Sequence, residues 1–263
     1  MDMIPNTPAD IRWDGRAATE GPTRPPALLQ LLRAAEAQML DELPCPPLVL
    51  RVGEGQPVQL EGTRAESIHV VRSGAFKCVR MLEDGYEQVL SFAERGDVLG
   101  YDGLCHGVHA TTAIALEVST VYVLPLGTLD ALALQAPRLD RALRSAVSRE
   151  LVDAWRMADM MAAVSSETRL ARFVLWCADR AHERGESTRR LRLRMGRREI
   201  ASFLAVAHET VSRCFTLLAR QGVLRVDNRE VEILDRAALV IASRGTRRCA
   251  DDAALSGAAA APG

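Results

Sequence analysis

Residues 47–125 carry the feature that most restricts the fold, a series of short β-rich runs separated by glycine turns. The runs are LVLRV, SIHVVR, AFKCVRML, EQVLSFA and TTAIALEVSTVYVL. Gly74, Gly85 and Gly96 lie 11 residues apart, and Pro125 ends the last run. Short runs with regularly spaced glycine turns indicate many antiparallel strands in a barrel or sandwich.

Composition and periodicity divide the chain into five stretches. A polar, proline-rich opening and a low-complexity end are typical of disorder. A helical pattern of leucines begins at Leu28 and runs to about residue 44. The predicted units are a disordered tail (1–26), a β-roll domain with a leading helix (27–136), a long helix (137–164), a winged helix-turn-helix unit (165–240) and a second tail (241–263).

Composition also narrows the class of protein. The 263 residues are 48% hydrophobic and 25% charged, as in an ordinary globular protein. Aromatic residues make up only 4%, too few for an aromatic sugar-binding platform. Apolar runs are shorter than the ~18 residues of a membrane span, and the first residues lack the apolar stretch of a signal peptide. We expect a cytoplasmic protein with no membrane partner, whose six scattered cysteines are reduced thiols.

The net charge of −1 conceals a strong asymmetry. From Glu167 to Arg248 there are 18 arginines against 10 acidic residues, and the rest of the chain carries the compensating negative charge. A basic C-terminal third favours contact with a polyanion such as nucleic acid. The alternative interpretation is an arginine-rich, solvated surface.

A long amphipathic helix is predicted after the β region. Its apolar positions are spaced by four, three, four and three residues, which is the seam of a helix pair, and they are Val147, Leu151, Ala154, Ala158 and Met161. The seam carries no charge, and no nearby segment could cover a helix ~40 Å long. We predict a homodimer in which two copies of this helix pack in parallel. The alternative is a helix packed on its own β domain.

Residues 196–226 (GRREIASFLAVAHETVSRCFTLLARQGVLRV) contain two short helical patterns joined by a tight break. Gly196 caps the first helix, residues 205–207 interrupt the pattern, and Gly222 ends the second helix. This spacing indicates a helix-turn-helix over residues 197–216. The predicted buried side of the second helix is Val211, Cys214, Phe215, Leu217 and Leu218. A wing is predicted from two strands joined at Asp227-Asn228, namely Val223–Val226 and Glu230–Leu234.

The outer side of the second helix carries a mixture of polar groups that suits a DNA major groove. A glutamate accepts from cytosine N4, an arginine donates two bonds to guanine O6 and N7, and hydroxyls donate to bases or phosphates. The predicted DNA-binding residues are His208, Glu209, Thr210, Ser212 and Arg213, together with Arg197 of the first helix. The alternative is an ordinary solvated helix face.

The order of β-roll, long helix and winged helix-turn-helix resembles the CRP/FNR family of bacterial transcription regulators over roughly residues 47–240. The segments that carry the resemblance are SSETRLARFVLW (165–176) and REIASFL with HETVSRCF (198–215). The motif ETVSR is similar to that of the branch containing the fumarate and nitrate reduction regulator. The resemblance implies an α+β fold in which a cyclic-nucleotide-binding-like roll is the sensor domain.

In that branch the matching glutamate, serine and arginine read a TTGAT half-site. The resemblance therefore implies that Glu209, Ser212 and Arg213 read a TTGAT-N4-ATCAA palindrome as a dimer, with half-sites ~10 base pairs apart. It also implies RNA polymerase as a partner and a role as an activator in oxygen, redox or anaerobic control. The alternative function is a barrel-based metal or thiol redox protein with a basic accessory domain.

Three residues depart from the family pattern. Ala205 stands where the turn often has glycine. Ala207 stands where a serine or threonine would cap the second helix, a loss of ~1 kcal/mol. His208 is bulkier than the usual residue, and it either contacts a base or phosphate or points to solvent.

The resemblance also indicates which ligands to consider for the roll. Nucleotide-binding members hold the phosphate with an Arg-Ser or Arg-Thr pair, which His109-Ala110 replaces here, so we expect no cyclic AMP dependence. Oxygen-sensing members hold a [4Fe–4S] cluster with four thiolates. Here no cysteine precedes Cys45, and Tyr122 stands at the barrel position, so we expect no cluster.

Two further chemical sites stay open as alternatives. Cys105, His106 and His109 could gather around a metal ion, although loop histidines are more often solvated, and we predict no metal. Cys214 follows Arg213 on the second helix, where nearby arginines could lower the thiol pKa and create a redox switch. The alternative for Cys214 is a small buried residue on the inner face of the helix.

Overall fold

The computed structural model describes residues 48–245 apart from positions 130, 132, 133, 135, 136 and 164. The predicted tail 1–26, the predicted helix 27–44, Cys45, Cys249 and residues 246–263 lie outside the described residues. The described part consists of an N-terminal roll, a long helix and a C-terminal unit (residues 165–245).

The roll is built from two four-stranded sheets, in the orders β1-β8-β3-β6 and β2-β7-β4-β5, and the pairings are antiparallel. The glycine-separated runs of the sequence form its strands. Their bounds are β1 (Leu48–Val52), β2 (Pro57–Gln59), β3 (Ser67–Ser73), β4 (Ala75–Met81), β5 (Glu87–Glu94), β6 (Val98–Leu99), β7 (Thr112–Ala115) and β8 (Ser119–Pro125).

The β-rich run TTAIALEVSTVYVL forms two strands, β7 and β8, with a break between them. Ser119 Oγ donates to the carbonyl oxygen of Glu117 (2.8 Å) and accepts from the amide of Ala75 (3.2 Å). These two bonds hold Ser119 at the end of the break. Gly74 lies against the same serine, at a positive φ of 86°, so closely that no Cβ would fit there.

Side chains of the roll alternate between two apolar layers, as the two-residue period of a strand requires. Val71, Phe76 and Val121 pack between the two sheets. Ile68 and Val70 lie in a second cluster, where they pack with residues of the long helix. The roll and the beginning of the long helix therefore share a continuous core.

The long helix, α1, spans Pro137–Met161. Proline suits the first helical position, because its missing amide hydrogen would have no partner there. The early turns are buried against the roll through Leu139, Ala142, Leu143 and Ala146. The interpretation of a helix packed on its own roll therefore describes the early turns, whereas the following stretch exposes an apolar seam and the dimer stays a prediction.

The C-terminal unit combines four helices and a three-stranded sheet. Its elements are α2 (Ser166–Glu183), β9 (Arg190–Arg192), α3 (Arg197–Leu204), α4 (His208–Arg220), β10 (Leu224–Asp227), β11 (Glu230–Ile233) and α5 (Arg236–Ala242). The sheet order is β10-β11-β9, so the segment before the helix-turn-helix joins the wing as a third strand. The helix α5 was not predicted, and it extends past the expected boundary at residue 240.

Candidate nucleic-acid interface

The turn between α3 and α4 is built by local signals. Gly196 precedes α3, and its amide donates to Glu199 Oε2 (2.9 Å), which is one half of a capping box. Ala205 ends α3 in the left-handed conformation, with φ 51°. Ala207 is the N-cap of α4 and has no side-chain acceptor for the first amides of that helix. The two departures noted in the sequence are therefore two local weaknesses of the turn.

The C-terminal end of α4 is fixed by a Schellman motif. Gly222 adopts φ 72°, and its amide donates to the carbonyl oxygen of Ala219 (3.1 Å). The amide of Val223 donates to the carbonyl oxygen of Leu218 (3.0 Å). The glycine signal in the sequence thus correctly predicts where the helix ends, and the chain turns directly into β10.

The inner face of α4 packs into the core of the C-terminal unit through Val211, Cys214, Phe215 and Leu218. Leu217 was predicted to be buried with them, which is wrong, because it is 41% exposed. It lies four residues after Arg213, and residues separated by four share one helix face. Leu217 therefore lies on the outer face of α4, next to its polar side chains.

The outer face of α4 carries the predicted contact residues. His208, Glu209, Ser212 and Arg213 are exposed, and Thr210 is half-buried. Arg213 Nη2 lies 3.3 Å from Thr210 Oγ1, and Ser212 Oγ donates to the carbonyl oxygen of His208 (3.2 Å). His208 Nδ1 lies 3.3 Å from Glu209 Oε2. The carboxylate, hydroxyl and guanidinium groups thus point away from the protein core, and the base contacts assigned to them stay predictions.

Arg197 lies differently from the expectation. Its guanidinium stacks on the Phe215 ring, 3.7 Å from the ring centroid, and Nη2 donates to the carbonyl oxygen of Asn228 (3.0 Å). Burial lowers the pKa of this half-buried side chain. In these contacts Arg197 connects α3, α4 and the tip of the wing, which is a structural role that the sequence did not indicate.

Cys214 does not have the environment of a reactive thiol. The side chain is buried, and burial raises its pKa, with Glu167 adding to the rise and Arg213 opposing it. Arg213 thus acts on the pKa in the direction that the redox hypothesis needs, but burial and Glu167 outweigh it. The alternative, a small buried residue on the inner face of α4, describes its position.

Comparison with known proteins identifies both units. Residues 49–136 match the cyclic nucleotide-binding domain, and residues 168–240 match the Crp-like helix-turn-helix domain. The chain is 32% identical over 246 residues to the transcriptional activator protein Anr of Pseudomonas protegens, which covers 91% of this chain and 98% of that protein. The chain belongs to the CRP/FNR family. It is therefore a DNA-binding transcription regulator, and the outer face of α4 lies on the recognition helix.

Other relatives agree with this assignment. The chain is 34% identical to the transcriptional regulatory protein btr of Bordetella pertussis, over 77% of this chain and 83% of that protein. It is 32% identical to the fumarate and nitrate reduction regulatory protein of Salmonella typhimurium, over 76% and 80%. The structure of FixK2 from Bradyrhizobium japonicum superposes with a TM-score of 0.68 at 25% identity, covering 75% of this chain and 98% of that one. These relatives are regulators rather than enzymes, which decides against the metal or redox enzyme as an alternative.

His109, which replaces the arginine expected for holding a phosphate, contacts a carboxylate. His109 is buried, and its Nδ1 lies 3.3 Å from Asp102 Oδ1. Asp102 also accepts from Thr111 Oγ1 (2.7 Å) and from Gln59 Nε2 (3.3 Å). A nearby cavity of about 250 Å³ contains Asp102 and Thr111 in its lining. An acidic side chain thus stands beside the residue that replaces the arginine.

The proposed metal ligands are not brought together. Cys105 and His106 are exposed on a loop, whereas His109 is buried against Asp102. Within residues 48–245, as far as they are described, no group of three or more His, Cys, Asp or Glu side chains is placed to hold a metal ion. Cys78 is buried in the roll, where burial raises its thiol pKa to about 12.

A buried ionic contact links all three parts of the molecule, and we call it the clasp. Arg180 of α2 donates from Nη1 to Asp153 Oδ2 of α1 (2.7 Å) and pairs through Nη2 with Asp97 of the roll. Trp176 Nε1 donates to Asp153 Oδ1 (3.1 Å) and completes the network. Burial opposes the charged form of Arg180, but Asp97 and Asp153 outweigh it and raise the arginine pKa. Arg180 therefore stays charged, and the clasp holds the C-terminal unit against the roll.

The first helix of the helix-turn-helix also packs directly on the roll. Ser202 Oγ of α3 donates to the carbonyl oxygen of Glu87 (2.8 Å) and accepts from the amide of Val89 (2.9 Å). Phe203 packs against Phe92 of β5, with ring centroids 5.1 Å apart. These contacts fix α3 and leave the outer face of α4 directed away from the roll. In the described part of the chain, no helix is long and apolar enough to span a membrane.

Proposed function

We propose that this regulator binds a TTGAT-N4-ATCAA palindrome and reads it through Glu209, Ser212 and Arg213. The observation that carries the proposal is the exposed placement of the three side chains along one face of the recognition helix. Residues 209, 212 and 213 differ by three and four positions, so they share a helix face. The single guanine of TTGAT is the natural partner of Arg213, and its paired cytosine offers N4 to Glu209.

We also propose that the protein binds this site as a homodimer formed along α1. After the buried early turns, Val147, Leu151, Ala154 and Ala158 are exposed on one side of the helix. Trp155 is 60% exposed beside them, which adds a large apolar surface. Met161 does not extend this face, because it is half-buried against the core of its own C-terminal unit. Packing of two such helices would remove the seam from water and place two recognition helices on one duplex.

The proposed dimer binds DNA without cyclic AMP and without an iron–sulfur cluster. The carboxylate of Asp102 and the absence of a phosphate-binding arginine at His109 support the first part. The environment of Tyr122 supports the second, since this aromatic side chain is buried in the roll at the position where relatives were expected to carry a cysteine ligand. The clasp, which is made by side chains of the chain itself, supports a recognition unit that is held against the roll.

We further propose that the regulated genes concern oxygen-limited or redox metabolism. The protein is proposed to act in the cytoplasm, as an activator that contacts RNA polymerase. Support comes from relatives with such names, including an anaerobic regulatory protein of Pasteurella multocida at 33% identity over 71% of this chain.

A gel shift without added ligand tests the proposed reading of the palindrome. It compares a duplex carrying TTGAT-N4-ATCAA with a scrambled duplex. Preferential binding of the palindrome supports it, and equal binding of both duplexes contradicts it.

A further inference from the structure

A cavity of about 360 Å³ lies between the roll and the C-terminal unit, and we call it the interdomain cavity. Its walls come from the turn at Ser73 and Gly74, from β5, from α2 and from the segment around β9. Small-molecule sites typically measure ~300–1,000 Å³ and often lie between domains. The interdomain cavity has both properties, and it is distinct from the cavity beside Asp102.

Positive charge dominates the lining of the interdomain cavity. Only two acids line it, Glu94 and Glu186. Both acids pair with the same side chain, Arg184, at 2.7 Å and 3.0 Å. The arginines of the lining number six, and they are Arg95, Arg180, Arg184, Arg190, Arg192 and Arg194.

The arginines at the rim are available for a ligand. Arg95 of the roll is exposed and makes no ion pair or hydrogen bond within the described residues. Arg190 is 78% exposed, and its Nε lies 3.7 Å from Glu232, a long and solvated ion pair. Arg95 belongs to the roll and Arg190 to the C-terminal unit, so an anion bound by both would contact both units.

Apolar side chains also line the cavity, namely Phe92, Trp176, Leu191, Leu193 and Met195. They share its walls with the ion-paired Arg180, Arg184 and Glu94. An aromatic and aliphatic wall beside exposed cationic groups matches a molecule with a flat or apolar body and a charged head. Guanidinium groups recognise phosphate and carboxylate heads by paired, charge-assisted hydrogen bonds.

We propose that the interdomain cavity is an effector site for a small organic anion, a molecule with an apolar body and a phosphate or carboxylate head. Arg95 and Arg190 bind the head, and the wall around Phe92 and Trp176 accepts the body. Because the cavity exists only while the roll and the C-terminal unit are docked, occupancy stabilises the docked arrangement. The proposal goes beyond the reading of DNA and does not depend on it.

Isothermal titration calorimetry of the full chain, without DNA, tests the site. Phenyl phosphate is the probe, inorganic phosphate tests the charged head alone, and phenol tests the apolar body alone. We expect phenyl phosphate to bind with a dissociation constant of about 1 mM or tighter, and more tightly than either fragment. Arg95→Gln and Arg190→Gln should each weaken binding about fivefold to tenfold, because each removes a charge-assisted contact.

Arg51→Gln is the matched control, since Arg51 is an exposed arginine of β1 outside the cavity. Its affinity for phenyl phosphate should equal that of the wild type. The proposal is overturned if phenyl phosphate fails to bind up to ~10 mM, if either fragment binds equally well, or if all three variants bind alike. None of these results would affect the proposed reading of the palindrome, which the gel shift measures separately.

Discussion

At the scale of single residues, Ala205 is the clearest conflict between sequence and backbone. An L-residue with a Cβ is disfavoured in the left-handed region by ~1–2 kcal/mol, and glycine escapes this because it has none. Part of that gain is lost again, because glycine gives the unfolded chain more conformational freedom. We therefore expect Ala205→Gly to raise the free energy of unfolding by about 0.5–1 kcal/mol.

Urea unfolding monitored by circular dichroism measures this change. Ala219→Gly is the matched control, because Ala219 lies inside α4, where the same replacement costs ~0.5–1 kcal/mol. The two substitutions should thus shift stability in opposite directions. If Ala205→Gly destabilised the protein as Ala219→Gly does, the left-handed conformation of residue 205 would be wrong.

The Cys214 thiol is expected to be unreactive. Its raised pKa keeps it protonated at neutral pH, and only the thiolate is a nucleophile. Iodoacetamide labelling of the native protein, read by peptide mass spectrometry, should modify the exposed Cys105 much faster than the buried Cys214. If Cys214 were labelled as fast as Cys105 or faster, its thiol would be reactive, and the hypothesis of a redox switch would be supported again.

At the scale of elements, the clasp is predicted to be the strongest polar contact between the units. Removal of one partner from a buried ion pair typically costs ~3–5 kcal/mol, because the other charges stay buried without compensation. Arg180→Met takes the arginine from both acids, although Asp153 keeps Trp176 and a long pair with Arg156 (3.4 Å), so we expect a loss near the lower end of that range, about 3 kcal/mol, in the free energy of unfolding. Guanidinium chloride unfolding measures it.

Arg236→Met is the control for the clasp. Arg236 pairs with Asp179 at 3.2 Å, but both side chains are about half exposed. Exposed ion pairs contribute only ~0–1 kcal/mol, so this variant should unfold close to the wild type. Equal losses from the two variants would contradict a special role for Arg180.

The elements differ in how well the sequence predicts them, and the reason is the range of the signals. The bounds of the helix-turn-helix follow from Gly196, Glu199 and Gly222, which act within a few residues of themselves. The clasp joins Arg180 to Asp97, 83 residues away, and no local pattern marks such a pair. The stacking of Arg197 on Phe215 was not predicted for the same reason, since it depends on how two helices pack.

Two other features differ from what the neighbouring residues suggest. The run before Pro125 has continuous β propensity, yet it forms two strands, and Ser119 is hydrogen-bonded at the break between them. Leu217 is apolar but faces outward, because its angular position on α4 follows that of Arg213. The seam of α1 was predicted from spacing alone, and the structure shows its central residues exposed while Met161 turns into the C-terminal unit.

At the scale of the whole molecule, the apolar seam of α1 predicts a homodimer. A charge in the middle of such a seam would be buried without a partner on association. Leu151→Glu should therefore convert the protein to monomers, as measured by sedimentation equilibrium. The control is Ile241→Glu, which places the same charge on α5 at an apolar residue that is 67% exposed and outside the seam. Dimers in both variants, or monomers in both, would contradict dimerisation through α1.

The most direct test of base reading combines one protein change with one DNA change. Equilibrium dissociation constants are measured for the wild type and Arg213→Ala, each with the palindrome and with a palindrome whose guanine is replaced in both half-sites. The wild type should lose ~1–3 kcal/mol per half-site on the altered DNA. Arg213→Ala should lose clearly less, since only the contact of Glu209 with the paired cytosine remains to discriminate. If Arg213→Ala weakened both duplexes alike and still discriminated between them as strongly as the wild type, Arg213 would contact only phosphate, and the proposed reading of the sequence would be wrong.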